Sequence, residues 1–365
     1  MTLHCAWQPG YRYHLRFEEA VLTDAEPTPD PSEAGQHRVT FEQECMVTAT
    51  NVARGRGGNI GLDMEILSLA MERAKGSQVA LSFDSEQGGE TTDDLGYIPI
   101  LKKLVGGHLR FLVSPDGKMI RAEGINEWIA QATSDSPART VAPRMVANTS
   151  SPTNSAGDPG APPDVTNGPG NIIRKAIRSL TTVPSGPVTG RRGNAASSIR
   201  NFFSQDHFRQ MIEFSFAPSS PVRVGQEWKS RGDTPITGRG RFTFDANAKF
   251  EGWQEHGKTN CARIAVHGNL LSQGNSVSTA ASPTKETLKG TVWIEPNLSF
   301  PITTILDKQI TLTNQTNIRK TGTNSVTLKT PPKFIRQNVA LTLLDVTPIQ
   351  DSGNDGTVEE AKSGN

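Results

Sequence analysis

Apolar and polar residues alternate with a period of two in several segments of this chain, most clearly in residues 108–124. Leu109, Phe111 and Val113 fall on one face there, and the Ser-Pro-Asp-Gly sequence of residues 114–117 is typical of a type I turn. Period-two burial excludes water from one face of a strand. The segment therefore predicts a β-hairpin.

The N-terminal region contains the same alternation twice. Tyr11, Tyr13, Leu15 and Phe17 share one face of a predicted strand, and residues 39–49 repeat the pattern after an acidic, proline-containing loop. One apolar and one polar face are typical of a half-buried antiparallel strand. We therefore expect a long hairpin.

Residues 62–75 allow two interpretations. Their Ala, Met, Glu, Arg and Leu residues favour a helix. However, Gly76 and Ser77, followed by the apolar residues 79–83, indicate the turn and the return arm of a hairpin, so we predict a strand. Its expected inner face consists of Leu62, Met64, Ile66, Ser68 and Ala70.

Helical spacing of apolar residues appears in three further segments. Residues 97–105 predict a short helix or turn, a helix is expected to start at residues 125–129, and residues 199–216 predict an amphipathic helix. The apolar side chains of that last helix are Ile199, Phe202, Phe203, Met211 and Ile212. A second set of strands is predicted at residues 226–231, 240–245, 259–270, 286–295, 299–314 and 334–346.

From residue 133 to residue 196 the composition shifts to Pro, Ser, Thr, Asn, Gly and Ala. Such a segment buries too little apolar surface to offset its chain entropy, so we expect a disordered linker with a short basic amphipathic helix. The predicted domains are an N-terminal antiparallel β half, this linker, a helix plus C-terminal antiparallel β half, and a disordered tail, at residues 1–132, 133–196, 197–346 and 347–365. The expected fold is mainly β, with two antiparallel, curved, half-barrel-like sheets, each with a short covering helix.

Overall charge and cysteine content exclude several functions. With 38 basic and 37 acidic residues, the chain has no overall field that would steer it to nucleic acid. No apolar run is long enough for a transmembrane helix, and the N-terminus lacks the pattern of a signal peptide, as in a cytoplasmic or already trimmed chain. The widely spaced Cys5, Cys45 and Cys261 form neither a disulfide framework nor a zinc pattern and allow one bridge at most.

No catalytic, cofactor-binding or metal-binding residue can be nominated from motifs. The seven histidines never occur at metal-ligand spacing, and neither a nucleophile elbow nor a phosphate-binding loop is present. The one charge anomaly is a basic stretch without acidic residues, in which possible contacts to an anionic partner are Arg174, Lys175, Arg178, Arg191 and Arg192. A solvated linker is the alternative interpretation.

Several stretches together resemble an uncharacterised family of exported bacterial proteins of the planctomycete and verrucomicrobial type, classed as a domain of unknown function. The stretches are residues 7–13 (WQPGYRY), 111–124, 221–228 (PVRVGQEW) and 288–296 (LKGTVWIEP). The resemblance implies an exported protein similar to the β half-barrels of lipoprotein carriers, located in the periplasm or cell envelope. It assigns no catalytic residues.

A curved sheet with one apolar face and a helix over it makes a groove, and a groove without catalytic groups suggests binding. The leading hypothesis is a non-enzymatic envelope protein that holds a lipid, another hydrophobic ligand or an envelope protein, without a cofactor. A structural or protein-interaction module, favoured by exposed aromatic residues on outer strand faces, is the second hypothesis. The third is an unrecognised hydrolase, and a cytoplasmic location is the alternative to the envelope.

Overall fold

The computed structural model describes twelve stretches of the chain. They are residues 3, 5–24, 36–52, 58–87, 92–134, 195–218, 220–237, 240–272, 283–312, 316–321, 324–329 and 333–349. The expected linker with its basic helix falls almost wholly outside them, as do residues 350–365 of the expected tail. Those predictions therefore stay predictions.

Within these stretches the chain forms fifteen strands and four helices. The strands are β1 (Tyr11–Asp24), β2 (His37–Asn51), β3 (Ile60–Lys75), β4 (Gln78–Asp84), β5 (Thr92–Asp93), β6 (His108–Val113), β7 (Met119–Glu123), β8 (Glu227–Ile236), β9 (Gly240–His256), β10 (Thr259–Ser272), β11 (Pro283–Glu295), β12 (Phe300–Leu312), β13 (Thr316–Thr321), β14 (Asn324–Lys329) and β15 (Lys333–Pro348). The helices are α1 (Ile98–Leu104), α2 (Ile125–Thr133), α3 (Ala195–Phe202) and α4 (Gln205–Ile212).

Thirteen of the described strands form one curved, unclosed antiparallel sheet, which confirms the mainly β, antiparallel fold. The order along the sheet is β5-β4-β3-β2-β1-β15-β12-β11-β10-β9-β8, and the hairpin β6–β7 pairs beside β3. The expectation of two separate sheets is wrong. The last strand, β15, pairs with β1 on one side and β12 on the other, so it supplies ladder hydrogen bonds to both halves.

The helices lie against the inner face of this sheet. α4 contacts both β7 and β8, which belong to opposite ends of the sheet, so the sheet curls around it. α2 packs closely on the turn before β6, where a Cβ at Gly107 would lie 2.0 Å from the indole nitrogen of Trp128. Only glycine permits that approach, and it brings the same nitrogen to the carbonyl oxygen of Leu104 at 3.2 Å.

The predicted hairpin at residues 108–124 is confirmed as β6 and β7. The amide of Gly117 donates to the carbonyl of Ser114 at 2.9 Å, and Gly117 takes a φ of +74°, which glycine adopts without strain. The predicted strand at residues 62–75 is confirmed as β3. Its predicted inner face is right as far as Ile66 and wrong beyond it, because Ser68 pairs with Glu44 on the outer face.

A β-bulge causes that error. Glu44 of β2 pairs with Ser68 and the next residue, Cys45, pairs with Ile66, so Leu67 is the extra residue and points to solvent. The bulge shifts the alternation by one position. Leu69 and Met71 are consequently buried, whereas Ala70 is only half-buried.

The predicted helix at residues 199–216 is interrupted and ends early. Ser204 has an extended backbone (φ −82°, ψ 166°), which separates α3 from α4, and the chain leaves helical geometry again at Glu213. The break lets the chain fold back, so that Ile199 and Phe203 as well as Met211 and Ile212 become fully buried. One straight helix could not place all four on a single inner surface.

Candidate functional site

The loop that follows α4, residues 213–217, covers the inner face of the C-terminal strands. The indole nitrogen of Trp7 donates to the carbonyl of Ile212 at 3.1 Å, and the hydroxyl of Ser230 donates to the carbonyl of Ser215. The ring of Phe216 packs on Phe244 with centroids 5.1 Å apart. These contacts hold the loop over the sheet from both sides.

Beneath the loop lies an apolar cavity of about 60 Å³, which we call the slot. Its apolar walls come from the loop and from β9, β11, β12 and β15, and include Phe214, Phe216, Phe244, Leu288, Leu306 and Leu341. One water-sized group needs about 10–15 Å³ of such space, so the slot accommodates about four to six of them. A partly enclosed, mostly apolar cavity of this kind favours an apolar chain over water.

Charged side chains form the rim of the slot. Arg209, Glu213 and Asp233 line it directly. The guanidinium of Arg209 contacts Glu213 Oε1 at 3.3 Å and Asp206 Oδ1 at 3.1 Å, and Arg241 pairs with Asp206 and, at 3.7 Å, with Asp233. Three carboxylates and two guanidinium groups give this network a net charge of −1.

A fully buried lysine lies beside the slot. Lys308 is 1% exposed, and its ammonium donates to Gln210 Oε1 at 2.6 Å and to the carbonyl of Pro235 at 3.2 Å. Gln210 is itself part of the slot lining, so it connects the lysine to the cavity. Burial lowers the pKa of Lys308 to about 7, and the charge of Glu19 opposes that shift.

Glu19 of β1 is a buried acid, and its charge interacts with that of Lys308. Its Oε1 accepts hydrogen bonds from Gln337 Nε2, at 2.8 Å, and from the Thr237 hydroxyl. Burial raises the pKa of Glu19, and the hydrogen bonds together with Lys308 counteract the rise. Glu19 Oε2 and Gln337 Oε1 are buried and receive no hydrogen bond within the described part of the chain. The inner face thus holds a polar group next to an apolar slot.

A second, larger cleft of about 630 Å³ opens between α2 and α3. Its lining includes residues 122–127 together with Arg200 and Phe203. Because specific small-molecule sites are enclosed and mostly apolar with a few polar groups, the slot is the better candidate.

Most sequence-predicted site residues fall outside this region. Arg174, Lys175, Arg178, Arg191 and Arg192 lie outside the described residues, so their contacts remain a prediction. Arg200, from the same basic stretch, is in α3 with its Nη2 3.4 Å from the Thr133 hydroxyl.

The three cysteines are free and buried, so the one bridge allowed by their number is not formed. Cys5 lines the slot, and burial raises the pKa of its thiol to about 12. The described residues contain no group of three or more His, Cys, Asp or Glu that could hold a metal ion.

Sequence reasoning missed the slot because it extended the last helix to residue 216. A signal was present: Phe214 and Phe216 alternate and are followed by Pro218, a pattern of extended chain rather than helix. Glu19 and Lys308 were also missed. Strict alternation places Glu19 on the face of Tyr13, Leu15 and Phe17, and an acid on a buried face marks a special position.

No family model matches this chain. No curated protein matches it either. A solved structure entitled "Lipid-protein interactions in lipovitellin" is similar at 10% sequence identity and a TM-score of 0.42, covering 93% of this chain and 26% of that one. This chain therefore spans about a quarter of that protein, and a likeness this distant supports no conclusion about function. Among the described residues, no helix has the length and apolarity to cross a membrane.

Proposed function

We propose that this chain is a non-enzymatic cell-envelope protein that binds a hydrophobic ligand by inserting one short alkyl chain into the slot. The observation that carries the proposal is the unfilled apolar space under residues 213–217 in an otherwise closely packed inner face. Phe244, Leu288 and Ile294 are each 1% exposed, so an inserted chain would be surrounded by apolar side chains. The envelope location rests on the sequence resemblance alone.

The size of the slot sets the length of the bound chain. Space for about four to six water-sized groups corresponds to an alkyl segment of about six carbons, because a methylene and a water have similar volumes. Burial of each methylene contributes about 0.8 kcal/mol, or about a fourfold gain in affinity. Affinity should therefore rise with chain length and level off near six carbons.

Exposed aromatic residues on the outer face would favour the interaction-module alternative. The large apolar side chains most exposed in the described stretches are aliphatic, namely Val52, Leu67, Ile120, Val224, Leu271 and Leu344. They are scattered over several elements, as on the surface of an ordinary soluble domain. We therefore retain ligand binding as the proposed function.

The test is calorimetric titration of the full chain with straight-chain alcohols from butanol to decanol. We expect about a fourfold increase in affinity per carbon up to about hexanol and little change beyond it. Ala217→Leu fills the slot and should abolish hexanol binding. The matched control is Ala265→Leu, which adds the same atoms at a half-buried position on the opposite face of the sheet and should leave binding unchanged. Equal binding by both variants, or none by the unmodified chain, contradicts the proposal.

A further inference from the structure

We infer that the ligand of the slot is an amphiphile whose polar head is a cationic ammonium group, an inference that rests on the proposed function. The apolar walls select the alkyl chain but do not distinguish head groups. The rim does, because every charge that lines the slot belongs to Arg209, Glu213 or Asp233. One guanidinium and two carboxylates leave the lining with a net charge of −1.

The whole ion-pair network around the slot, like the lining itself, has a net negative charge. Asp206 and Arg241, which connect the rim residues to α4 and β9, add one negative and one positive charge. The two arginines are already engaged by these carboxylates, so they are not free to bind an anionic head. A carboxylate or phosphate head would meet an excess of negative charge in a partly buried rim, where water screens it weakly.

Glu213 is the residue best placed to accept a hydrogen bond from the ligand. The amide of Met119 donates to Glu213 Oε1 at 3.0 Å, and Arg209 contacts the same oxygen at 3.3 Å. Both contacts hold the carboxylate in place through one oxygen. The other oxygen, Oε2, is the acceptor that we assign to an ammonium N–H. Only 13% of the side chain is exposed, so such a charge-assisted hydrogen bond would be stronger than one at an open surface.

The experiment compares three probes that share a six-carbon chain, namely hexylammonium, hexanol and hexanoate, at neutral pH by calorimetry. An alkyl ammonium, like lysine, stays protonated there. We expect hexylammonium to bind roughly tenfold more tightly than hexanol, and hexanoate to bind more weakly than hexanol. Glu213→Gln keeps an amide oxygen for Met119 but removes the charge, so the ratio of hexylammonium affinity to hexanol affinity, both measured on this variant, should fall from about ten to about one.

The matched control is Asp63→Asn, which removes the same charge from an exposed ion pair with Arg110 on β3 and should preserve the order of the three probes. Hexanoate binding as tightly as hexylammonium, with Ala217→Leu still abolishing both, overturns the cationic head while the proposed alkyl slot stands. If none of the probes binds, the proposed function fails and this inference fails with it. If Asp63→Asn acts like Glu213→Gln, the preference reflects overall charge and the role of Glu213 is wrong.

Discussion

The two halves of the inner face are covered in different ways. Under the helices, aromatic rings pack against one another: Phe41, Phe202, Phe203 and Phe208 surround His207, with ring centroids 5.1 to 5.7 Å from that of the imidazole. Beside them, residues 213–217 cover the C-terminal strands as a single loop and leave the slot beneath it. The helices place large rings in close contact over their part of the sheet, whereas the loop leaves unfilled space beneath it.

The same contrast holds for the buried titratable groups. His207 is enclosed by aromatic rings, and burial lowers its pKa to about 3, so it is neutral in the folded protein. His207 Nε2 lies 3.5 Å from Gln43 Oε1, whereas the equally buried Lys308 and Glu19 have shorter hydrogen bonds, to Gln210 of α4 at 2.6 Å and from Gln337 of β15 at 2.8 Å. The helix-covered half is therefore a structural core, and the loop-covered half combines imperfect apolar packing with polar groups, which is the composition of a binding site.

The largest effect expected from this comparison is a difference between two matched core truncations. Leu15→Ala, in the helix-covered half, removes a fully buried side chain from close packing and should cost about 4 kcal/mol of unfolding free energy. Leu288→Ala removes an equally buried side chain that already borders the slot, so it loses fewer contacts and should cost about 2.5 kcal/mol. Urea unfolding of both variants measures the difference.

Leu67→Ala serves as the control for that pair, because Leu67 is on the same sheet but 37% exposed and should cost below about 1 kcal/mol. If Leu288→Ala costs as much as Leu15→Ala, the space beneath the loop does not weaken packing there. The contrast between the two halves would then be wrong.

Much of this architecture follows from period-two burial, and the errors have local causes. The alternation in residues 11–17 and 108–113 predicts β1 and β6 with the correct inner face, since Tyr13, Leu15 and Phe17 are at most 1% exposed. Sequence gives no direct signal for the bulge at Leu67, because either phase of β3 presents apolar residues to the core. One extra residue within the strand thus decides which face of the second half of β3 is buried.

The single sheet was also hidden from sequence reasoning, for a different reason. Pairing of β15 with β1 joins residues more than 300 positions apart, for example Tyr13 with Val346. Period-two patterns specify which face of a strand is buried but not which strand lies beside it. The slot likewise depends on tertiary neighbours, because Phe214 and Phe216 of the loop line it together with Leu306 of β12 and Leu341 of β15. The candidate site therefore follows from topology more than from local pattern.

The buried lysine gives the second expected effect. Lys308→Met should cost about 2 to 3 kcal/mol, because Gln210 and the carbonyl of Pro235 each lose a hydrogen-bond donor in a buried position. Lys308→Met combined with Gln210→Leu removes donor and acceptor together and should recover part of that loss. Chemical unfolding of the two single variants and the double variant measures the coupling. Additive costs would show that Lys308 and Gln210 do not act as a pair.

The smallest effect concerns the pH dependence of the helix-covered half. The pKa of His207 is lowered from its ordinary value near 6.5 to about 3, so the unfolded chain binds more protons between these values. Stability should therefore fall as the pH decreases through this window, by about 2 kcal/mol at pH 5. His207→Phe should flatten the dependence of stability on pH between pH 5 and 6.5. Glu44 contributes below this range, because its hydrogen bonds with His14 and Arg16 lower its pKa to about 2.

Lys308→Met is the control for this titration, because the pKa of Lys308 is lowered to about 7 from 10.5 and its contribution lies between these values. Over that range the unfolded chain binds more protons, so stability rises with pH, and Lys308→Met should remove this alkaline slope. Because Lys308 counteracts the raised pKa of Glu19, its removal also changes the acid range, so the comparison uses the alkaline window of this variant. His256, whose pKa burial also lowers, remains in both variants and leaves a residual acid slope. Unfolding free energies measured from pH 5 to pH 10 separate the two windows. An unchanged acid slope in His207→Phe would mean that water reaches this histidine, and that the helix-covered half is less tightly closed than the loop-covered half beside it.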